Sequence, residues 1–300
     1  MGYTTSPLRY PGGKIRLSNF IKSVILKNHL ENGDYIEPYA GGAGIAWRLL
    51  FDHFVDRVHI NDLNRSVYAF WFSVFNHTDE LCKLIDDAPI SMEQWQIQKK
   101  IQSDQSASYL ELGFSTFFLN RTNRSGIIGA GVIGGKEQSG EYKLDARFNK
   151  KDLKTRIQKI ASFKSKVEIY NQDALFFIKN TLPAINNKAL VYLDPPYYKK
   201  GAALYESHYI HADHEKIAFS LANVMKMWIV SYDHAPEICK MYQDYRHQVY
   251  RLSYSVADRY NGQEIMFFSP SLLTPDVSSP LDVKSSEIRK NTVIQSEMVL

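Results

Sequence analysis

The sequence predicts an α/β protein in which a block of helices interrupts the sheet. Three observations support this class: short apolar strands end in polar residues, segments with helical spacing of apolar residues separate the strands, and the stretch 64–150 shows no strand alternation. The chain has 300 residues, of which 44% are hydrophobic, so it can bury one large core or two smaller ones. We therefore expect a globular protein with an inserted helical region.

The N-terminal part contains one complete strand–helix–strand unit. An amphipathic helix is predicted at about 15–29, and a short strand follows at 35–38. The glycine-rich run EPYAGGAG then leads into a helix at about 43–54, and VHINDL at 58–63 reads as the second strand. Strand, turn, helix and strand in this order predict a parallel sheet.

The strand and helix rhythm resumes after the helical block. Within the block, helices are predicted at about 66–75, 91–102 and 109–119. Further strands are predicted at 167–173, 189–194, 227–233, 247–255 and 264–269, with helices in the gaps at 151–162, 174–180, 212–226 and 234–243. The predicted domains are 1–66 with 151–269 for the sheet, 67–150 for the helical insertion and 270–300 for a flexible tail rich in Ser, Pro and charge.

Composition argues against several classes of protein. No apolar run approaches about 18 residues, and the N-terminus lacks the features of a signal peptide, so a soluble cytoplasmic protein without membrane contact is expected. Cys82 and Cys239 lie far apart in helix-like surroundings and are interpreted as buried thiols. His208, His211 and His214 do not predict a metal site, because such a set drifts around a helix axis.

Polar residues stand where the predicted strands end, which is where open α/β sheets bind ligands. Glu37 closes the first strand, Asp62 the second, Asp173 the third and Asp194 the fourth. A glycine-rich first turn lets a ligand approach the backbone, and an acid after the second strand can accept hydrogen bonds from ribose hydroxyls. These features predict a cofactor that contains a nucleoside. PGGK at 11–14 is not a Walker loop, because Ile15 stands where Ser or Thr is required.

The stretch LVYLDPPYYKKG at 190–201 predicts the reactive site. Pro195 and Pro196 fix the backbone after Asp194 and remove two amide donors, which leaves mainly hydrogen-bond acceptors. An exocyclic amino group with two N–H donors fits a carboxylate plus a backbone carbonyl, and Tyr197 is placed to stack on the ring that carries it. The alternative is a proline-capped strand end with an incidental acid.

With these motifs in this order, the chain resembles the Dam-type (alpha-group) family of S-adenosylmethionine-dependent DNA adenine methyltransferases. The resemblance covers 8–269 and rests on LRYPGGK, EPYAGGAG, IND, NQD and DPPYY with the following KKGAALY. It implies a Rossmann-like methyltransferase sheet with helices on both faces, which binds the cofactor, and an inserted helical target-recognition domain.

The resemblance also implies roles for single residues. Lys14 contacts the cofactor near its methionine carboxylate, and Asp62 and Asp173 hold the ribose and the cofactor adenine. Asp194 and the Pro195 carbonyl bind the target amino group, and the ring of Tyr197 stacks on the flipped base. The predicted catalytic residues are Asp194, Pro195, Pro196 and Tyr197, and the predicted cofactor-binding residues are Tyr10, Lys14, Glu37, Pro38, Gly41, Gly42, Gly44, Asp62, Asp173 and Asp194.

A basic segment lies at the end of the helical block. Residues 121–151 contain seven basic and three acidic residues, a pattern that both a polyanion-binding surface and a solvated helix and loop produce. Arg121, Asn123 and Arg124 are types that read guanine or adenine, although each can bind phosphate. The predicted DNA-binding residues are Arg121, Asn123, Arg124, Lys136, Lys150, Lys151, Lys199 and Lys200. The best-known GATC-methylating members of this family differ from the chain in the run FFLNRTNRSGIIGAGVIGG, so GATC specificity is not predicted.

The sequence thus predicts a site-specific DNA methyltransferase that transfers a methyl group from S-adenosylmethionine to the exocyclic 6-amino group of a flipped adenine. Two alternatives stay open, namely an enzyme that acts on RNA adenine and a catalytically silent, cofactor-sensing DNA-binding protein. The intact DPPY argues against the silent protein. Double-stranded DNA is the predicted partner, and a cognate restriction endonuclease is a second candidate partner.

Overall fold

The computed structural model describes residues 5–10, 14–199, 209–253, 261–286 and 288. Residues 11–13 of the PGGK run, Lys200 and His208 lie outside these ranges, as do 289–300 of the predicted tail. No helix in the described ranges combines the length and apolar character that crossing a membrane requires.

The predicted helices and strands are present in the described ranges, with ends shifted by a few residues. The predicted helix 174–180 is α-helical at Ala174–Phe176 and continues as a π-helix at Phe177–Thr181, and residues 254–255 of the predicted strand 247–255 lie outside the described ranges. The strands are β1 (Asp34–Glu37), β2 (Arg57–Asn61), β3 (Val167–Tyr170), β4 (Ala189–Leu193), β5 (Met227–Asp233), β6 (His247–Ser253) and β7 (Asn261–Phe268). The α-helices are α1 (Ser18–Lys27), α2 (Gly44–Phe51), α3 (Arg65–Asn76), α4 (Thr78–Asp87), α5 (Met92–Ser103), α6 (Tyr109–Thr122), α7 (Lys150–Ala161), α8 (Ala174–Phe176), α9 (His211–Leu221) and α10 (Pro236–Met241). Helix α4 was not predicted, although Leu81, Cys82 and Ile85 form its buried face.

The strands form one sheet in the order β3-β2-β1-β4-β5-β7-β6. Strand β1 is parallel to β2 and β4, and β4 is parallel to β5. Strand β7 is antiparallel to both β5 and β6, so the sheet is mixed rather than wholly parallel. The link 254–260 is too short for a parallel crossover, which needs about a dozen residues or more. This sheet with its helices confirms the predicted Rossmann-like α/β class.

Full burial explains why β4 reads as a continuous apolar run. Every residue of β1 and of β4 is buried, as expected for parallel strands that are covered on both faces. The charged residues of these strands lie at their ends: Asp34 begins β1, Glu37 ends it, and Asp194 directly follows β4. The burial pattern of the sheet thus positions the acids of the predicted site.

The chain divides into two compact units. The helical unit comprises Met1–Gly13, Gly41–Ala43 and Asn61–Gln172, and the sheet unit comprises Lys14–Ala40, Gly44–Ile60 and Asp173–Leu300. The helical unit therefore extends beyond the predicted insertion 67–150 on both sides and includes the N-terminal segment.

Close packing of helices builds the helical unit. A Cβ atom on Gly113 of α6 would lie 2.4 Å from the hydroxyl of Ser73 and 2.6 Å from the carbonyl oxygen of Ala69, so only glycine allows this approach of α6 to α3. Helix α3 begins at the N-cap Asn64, whose side chain accepts from two backbone amides. Helix α6 begins with a capping box formed by Ser108 and Glu111.

The first part of the predicted tail packs on the sheet unit. Leu272 and Val283 are buried, and the side chain of Asn28 donates to the carbonyl oxygen of Leu273 over 2.8 Å. The side chain of Asn19 donates to the carbonyl oxygen of Val283 over 3.1 Å. These contacts are at odds with the flexible extension that the composition of the tail predicts.

Candidate active site

An ionic cluster lies in the sheet unit at the end of β4. The ammonium nitrogen of Lys14 lies 3.2 Å from Oδ1 of Asp194 and 3.3 Å from Oε2 of Glu264, which belongs to β7. The same nitrogen donates to the hydroxyl of Tyr197 over 3.0 Å. We call Lys14, Asp194, Tyr197, Tyr250 and Glu264 the Lys14 cluster. Two of its members, Asp194 and Tyr197, come from the DPPY motif that the sequence predicts to be reactive.

Two tyrosine hydroxyls complete the hydrogen bonding of Glu264. Tyr197 donates to Oε1 and Tyr250 donates to Oε2, both over 2.7 Å. The hydroxyl of Tyr197 thus accepts from Lys14 and donates to Glu264. Because both oxygens of Glu264 accept hydrogen bonds, this buried carboxylate is satisfied within the protein.

Burial and the neighbouring carboxylates have opposite effects on the pKa of Lys14. Burial lowers the pKa of its ammonium group, but Asp194 and Glu264 outweigh that effect and raise the pKa well above the usual value. Lys14 therefore stays protonated. Burial raises the pKa of Asp194 above the usual range for a carboxyl group, while the charge of Lys14 lowers it.

Asp194 is the member of the ionic triad with the greatest access to a ligand. Its side chain is 24% exposed, whereas those of Lys14 and Glu264 are 2% exposed. The hydroxyl of Ser231 on β5 donates to Oδ1 of Asp194 over 2.9 Å and fixes the carboxylate from the other side. An amino group that reaches the end of β4 would thus meet Asp194 first.

Asp233 anchors the backbone that follows the DPPY motif. The amide nitrogens of Tyr198 and Lys199 donate to its two carboxylate oxygens over 2.7 and 3.0 Å. The prolines remove amide donors within the motif, and Asp233 holds the next two amides. The turn is therefore fixed at both ends, which limits the positions that Tyr197 can adopt. Tyr197 is itself only 7% exposed, so its ring is not presented as an open stacking surface in this conformation.

A second polar arrangement, in the helical unit, surrounds Asp62. Its Oδ2 accepts from the amide of Gly41 and its Oδ1 from the amide of Asn64, each over 2.9 Å. The indole N–H of Trp71 donates to the carbonyl oxygen of Gly41 over 2.9 Å. Gly41 has a φ of +47°, and a Cβ atom there would lie 2.7 Å from the ring of Tyr10, so glycine is required at this position. We call this arrangement the Asp62 turn.

The Asp62 turn fits a ligand that presents hydroxyl groups. Each carboxylate oxygen has two acceptor positions and spends one on a backbone amide, so capacity for a ribose hydroxyl remains. Burial raises the pKa of Asp62 to about 6, although the two amides lower it. The required glycine and this acid are the features that the sequence predicts for a nucleoside site.

The other predicted cofactor residues differ in exposure. Glu37 and Pro38 are buried at the end of β1, and burial raises the pKa of Glu37 to about 8. Gly44 begins α2, and a Cβ atom there would lie 3.5 Å from Ile15. Asp173 is exposed and caps α8 by accepting from the amide of Phe176 over 3.0 Å, which uses one of its two oxygens. Their binding of a cofactor stays a prediction.

Two of the predicted DNA-binding residues are bonded to the protein itself. Asn123 is 0% exposed; its amide group donates to the carbonyl oxygens of Ile127 and Ile128, and its Oδ1 accepts from the indole of Trp95. The guanidinium of Arg121 donates to the carbonyl oxygens of Arg147 and Pro7.

These contacts correct the base-reading interpretation. For Asn123 a base contact would require breaking three internal hydrogen bonds. For Arg121 the donors Nε and Nη1 are engaged by the protein, and burial lowers the pKa of its guanidinium to about 9, with the charges of Arg9 and Arg156 adding to that effect. Both side chains therefore support the local fold in this structure.

The remaining predicted DNA-binding residues in the described ranges are either bonded within the protein or exposed. The ammonium group of Lys150 donates to the carbonyl oxygens of Asp86 and Ala88 at the end of α4, where a cation is favourable. Among the members of the predicted set that the structure describes, Arg124, Lys136, Lys151 and Lys199 are exposed. These four stay candidates for DNA contact.

Sequence reasoning missed four residues that shape the Lys14 cluster and its turn. They are Ser231, Asp233, Tyr250 and Glu264. One signal was present, because Glu264 stands next to the apolar run IMFF of a predicted strand. A buried acid in such a run needs a partner, and a cation or hydroxyl elsewhere in the chain had to supply it.

One comparison with known proteins identifies a family. A family model described as D12 class N6 adenine-specific DNA methyltransferase matches residues 10–256. A search of curated proteins finds no significant match.

Several solved structures are similar to this chain at low identity. They include a conserved hypothetical protein of Streptococcus pyogenes, with 12% identity over 80% of this chain and 88% of that one, and a TM-score of 0.33. An uncharacterized protein of Listeria monocytogenes serotype 4b has 8% identity over 91% and 74%, with a TM-score of 0.35. A Haemophilus influenzae protein proposed to be a methylase has 11% identity over 84% and 86%, with a TM-score of 0.32. These TM-scores are too low to assign fold or function.

Proposed function

The chain belongs to the family of D12 class N6 adenine-specific DNA methyltransferases, and from this membership we propose that it methylates the exocyclic 6-amino group of an adenine flipped out of duplex DNA, with S-adenosylmethionine as the methyl donor. The enzyme class is a transferase. The proposed methylation of a flipped adenine rests on the Lys14 cluster, in which Asp194 is the accessible carboxylate at the end of β4.

The proposed task of Asp194 is to receive the target amino group. Its carboxylate accepts one N–H and the carbonyl of Pro195 accepts the other, so the nitrogen lone pair points away from both. Lys14 and Ser231 hold the carboxylate in place. A group fixed before the reaction needs no reorganisation during it, and that is the main contribution a protein makes to such a transfer.

The proposed cofactor contacts follow from the Asp62 turn. S-adenosylmethionine supplies a methyl group on a positively charged sulfur that is already activated for transfer. Asp62 accepts hydroxyl groups of the ribose with the acceptor positions that the amides of Gly41 and Asn64 leave. Asp173 is the proposed partner of the cofactor adenine, and Lys14 stays a candidate for the methionine carboxylate.

DNA is proposed to bind through the exposed basic residues of the helical unit. Arg124, Lys136 and Lys151 are the candidates, because their charged groups are exposed. A flipped base is part of the proposal because a duplex hides the amino group of adenine from any active site. A cognate restriction endonuclease is a candidate partner of such an enzyme, and only the target sequence and its genetic surroundings would identify one.

Methylation of mixed-sequence DNA tests the proposal. The protein is incubated with S-adenosylmethionine and duplex DNA, and modified adenines are mapped; matched RNA and single-stranded DNA are run in parallel. We expect N6-methyladenine in one short duplex sequence and none with the Asp194→Asn variant. Modification of RNA alone would favour an RNA enzyme, and cofactor binding without methylation of any nucleic acid would favour a silent sensor.

A further inference from the structure

Glu264 is buried beside the accessible carboxylate of the candidate active site and shares Lys14 with it. Its side chain is 2% exposed, its carboxylate accepts hydrogen bonds from the hydroxyls of Tyr197 and Tyr250, and the ammonium nitrogen of Lys14 lies 3.3 Å away. At this burial a substrate group does not reach the acceptor positions that remain on the carboxylate. Any effect of Glu264 on the reaction therefore comes from its charge and from its contacts with Lys14 and Tyr197.

The sheet register fixes Glu264 more firmly than Lys14, Asp194 and Tyr197 of the Lys14 cluster. Glu264 is paired with Asp233 of β5 on one side and with Tyr250 of β6 on the other. A slip of one residue in either pairing would turn its side chain to the opposite face of the sheet. Glu264 is thus a rigid reference point, whereas Lys14 and Tyr197 lie on segments outside the strands.

We propose that Glu264 is a positioning residue for methyl transfer, which holds Lys14 and the hydroxyl of Tyr197 against Asp194 and thereby sets the strength of Asp194 as a hydrogen-bond acceptor. The inference rests on the proposed function. Lys14 lies between the carboxylates of Asp194 and Glu264. Part of the favourable charge interaction of Lys14 is therefore made with Glu264 rather than with Asp194. Burial is the main reason that the pKa of Asp194 is raised, and the charge of Glu264 raises it further. A more basic carboxylate accepts a stronger hydrogen bond from the target amino group.

The transfer that Asp194 supports is balanced without a further reactant. The nitrogen lone pair forms the bond to the methyl carbon, the carbon–sulfur electron pair returns to sulfur, and one amino proton leaves the nitrogen. Asp194 receives that proton and passes it to water, which its 24% exposure permits. Glu264 takes no proton in this scheme, because its partners already donate to both oxygens.

Glu264→Gln tests the proposal, since it keeps the size of the side chain and removes its charge. We expect the plateau of the single-turnover methylation rate to fall about ten-fold or more, the effect of losing a hydrogen bond to a charged group. We also expect the acidic limb of the pH profile to move to lower pH, because Glu264 no longer raises the pKa of Asp194. Glu264→Asp retains the charge and should keep the limb in place while losing part of the rate.

Asp34→Asn is the matched control. Asp34 is another buried carboxylate of the same unit; it lies at the start of β1 and pairs with Nε2 of His59 over 3.1 Å. If Glu264 only stabilised the fold, the two variants would have the same pH profile. We expect the profile of Asp34→Asn to match that of the unsubstituted protein, even if its thermal unfolding temperature falls.

A titration that needs no activity separates this inference from the proposed function. The carboxyl carbon-13 signal of Asp194, identified by its loss in Asp194→Asn, should titrate at lower pH in Glu264→Gln than in the unsubstituted protein. An unchanged midpoint would overturn the positioning role even in an active methyltransferase. Failure of the unsubstituted protein to methylate DNA would overturn the proposed function. The titration midpoint of Asp194 would still test whether Glu264 acts on Asp194.

Tyr250→Phe decides the matter if Glu264→Gln does not fold. It removes one of the hydrogen bonds that compensate the charge of Glu264, while the ring stays in place. Glu264 then acts more strongly on Asp194, so the midpoint of Asp194 should move to higher pH, opposite to the shift in Glu264→Gln. A midpoint equal to that of the unsubstituted protein would overturn the proposal.

Discussion

The Lys14 cluster and the segment Arg121–Arg124 differ in the groups that bond their charged and polar side chains. In the Lys14 cluster, ionisable side chains bond one another, and Asp194 keeps 24% of its surface accessible. In the segment, Arg121 and Asn123 are bonded mainly by backbone carbonyl oxygens, and Asn123 is fully buried. Residue type thus shows what a side chain is able to bind, and only the structure shows whether that capacity is already used.

The largest expected effect concerns Asp194. Asp194→Ala should lower the single-turnover methylation rate by about 100-fold or more, because it removes a preorganised electrostatic contact to the reacting nitrogen. Lys14 keeps Glu264 as its counter-ion, so the fold should persist. Asp34→Asn serves as the control for the loss of a buried carboxylate. A rate near that of the unsubstituted protein would break the comparison, since Asp194 would then be a structural group like Arg121.

Asp62 is expected to show the next largest effect, on cofactor binding. Asp62→Asn should weaken binding of S-adenosylmethionine by about 1.5 to 3 kcal/mol, the value of a hydrogen bond to a charged group. Because the pKa of Asp62 is raised to about 6, its protonation should weaken binding as the pH falls through that value. The Asn variant should lack this pH dependence. Calorimetric titration between pH 5 and pH 8 measures both effects, and equal affinity in both proteins would remove Asp62 from the site.

Tyr197→Phe tests whether the hydroxyl or the ring of Tyr197 does the work. The sequence assigns the work to the ring, which predicts a mild effect for Phe and a severe one for Ala. The structure places the hydroxyl between Lys14 and Glu264, so we expect Phe to lose about ten-fold in single-turnover rate. Ala should lose more, because the stacking surface is also removed. A Phe variant as active as the unsubstituted protein would restore the account based on the ring alone.

Asn123→Ala and Arg124→Ala sharpen the comparison within one segment. Loss of the Asn123 side chain removes the hydrogen-bond partner of the Trp95 indole and of the Ile128 carbonyl oxygen, so the free energy of unfolding should fall by about 1 to 3 kcal/mol. The carbonyl oxygen of Ile127 keeps the backbone amide of Ala130 as a donor. Arg124 is exposed, so its loss should change stability by less than about 0.5 kcal/mol. Its effect should instead be on DNA affinity or on the sites that are methylated. Urea unfolding and methylation mapping of both variants measure these effects. A stable Asn123→Ala with altered methylation sites, together with a destabilised Arg124→Ala, would contradict this assignment.

The smallest expected effect is on the salt dependence of DNA binding, which should differ between exposed lysines and a lysine that is bonded within the protein. Neutralising Lys136 and Lys151 should reduce the log-log slope of affinity against salt by about one for each phosphate group that the protein no longer neutralises. Lys150→Ala should leave the slope unchanged, because its ammonium group is held by two carbonyl oxygens at the end of α4. An equal decrease for Lys150 would show that it leaves those carbonyl oxygens when DNA binds.

Sequence reasoning succeeded where a pattern depends on neighbouring residues along the chain. The strand predicted at 35–38 before the glycine-rich turn and the apolar run that ends at Asp194 correspond to β1 and β4, and they indicated the edge of the sheet where the acids lie. It did not identify Glu264 or Tyr250, because their importance comes from contacts with residues far away in the chain. It placed Asn123 on DNA because an exposed and a buried asparagine look the same in a sequence.

The separation along the chain of the residues in the Lys14 cluster has a consequence for folding. Lys14 and Tyr197 are 183 residues apart, whereas helices α5 and α6 meet through contacts such as Ser115 with Gln98, which are 17 residues apart. Short-range contacts form faster than long-range ones, because closing a long loop costs more chain entropy. During refolding from denaturant, helical circular dichroism should therefore return before the capacity to methylate, and a chain arrested in that interval would have helices but no working acceptor for the target base.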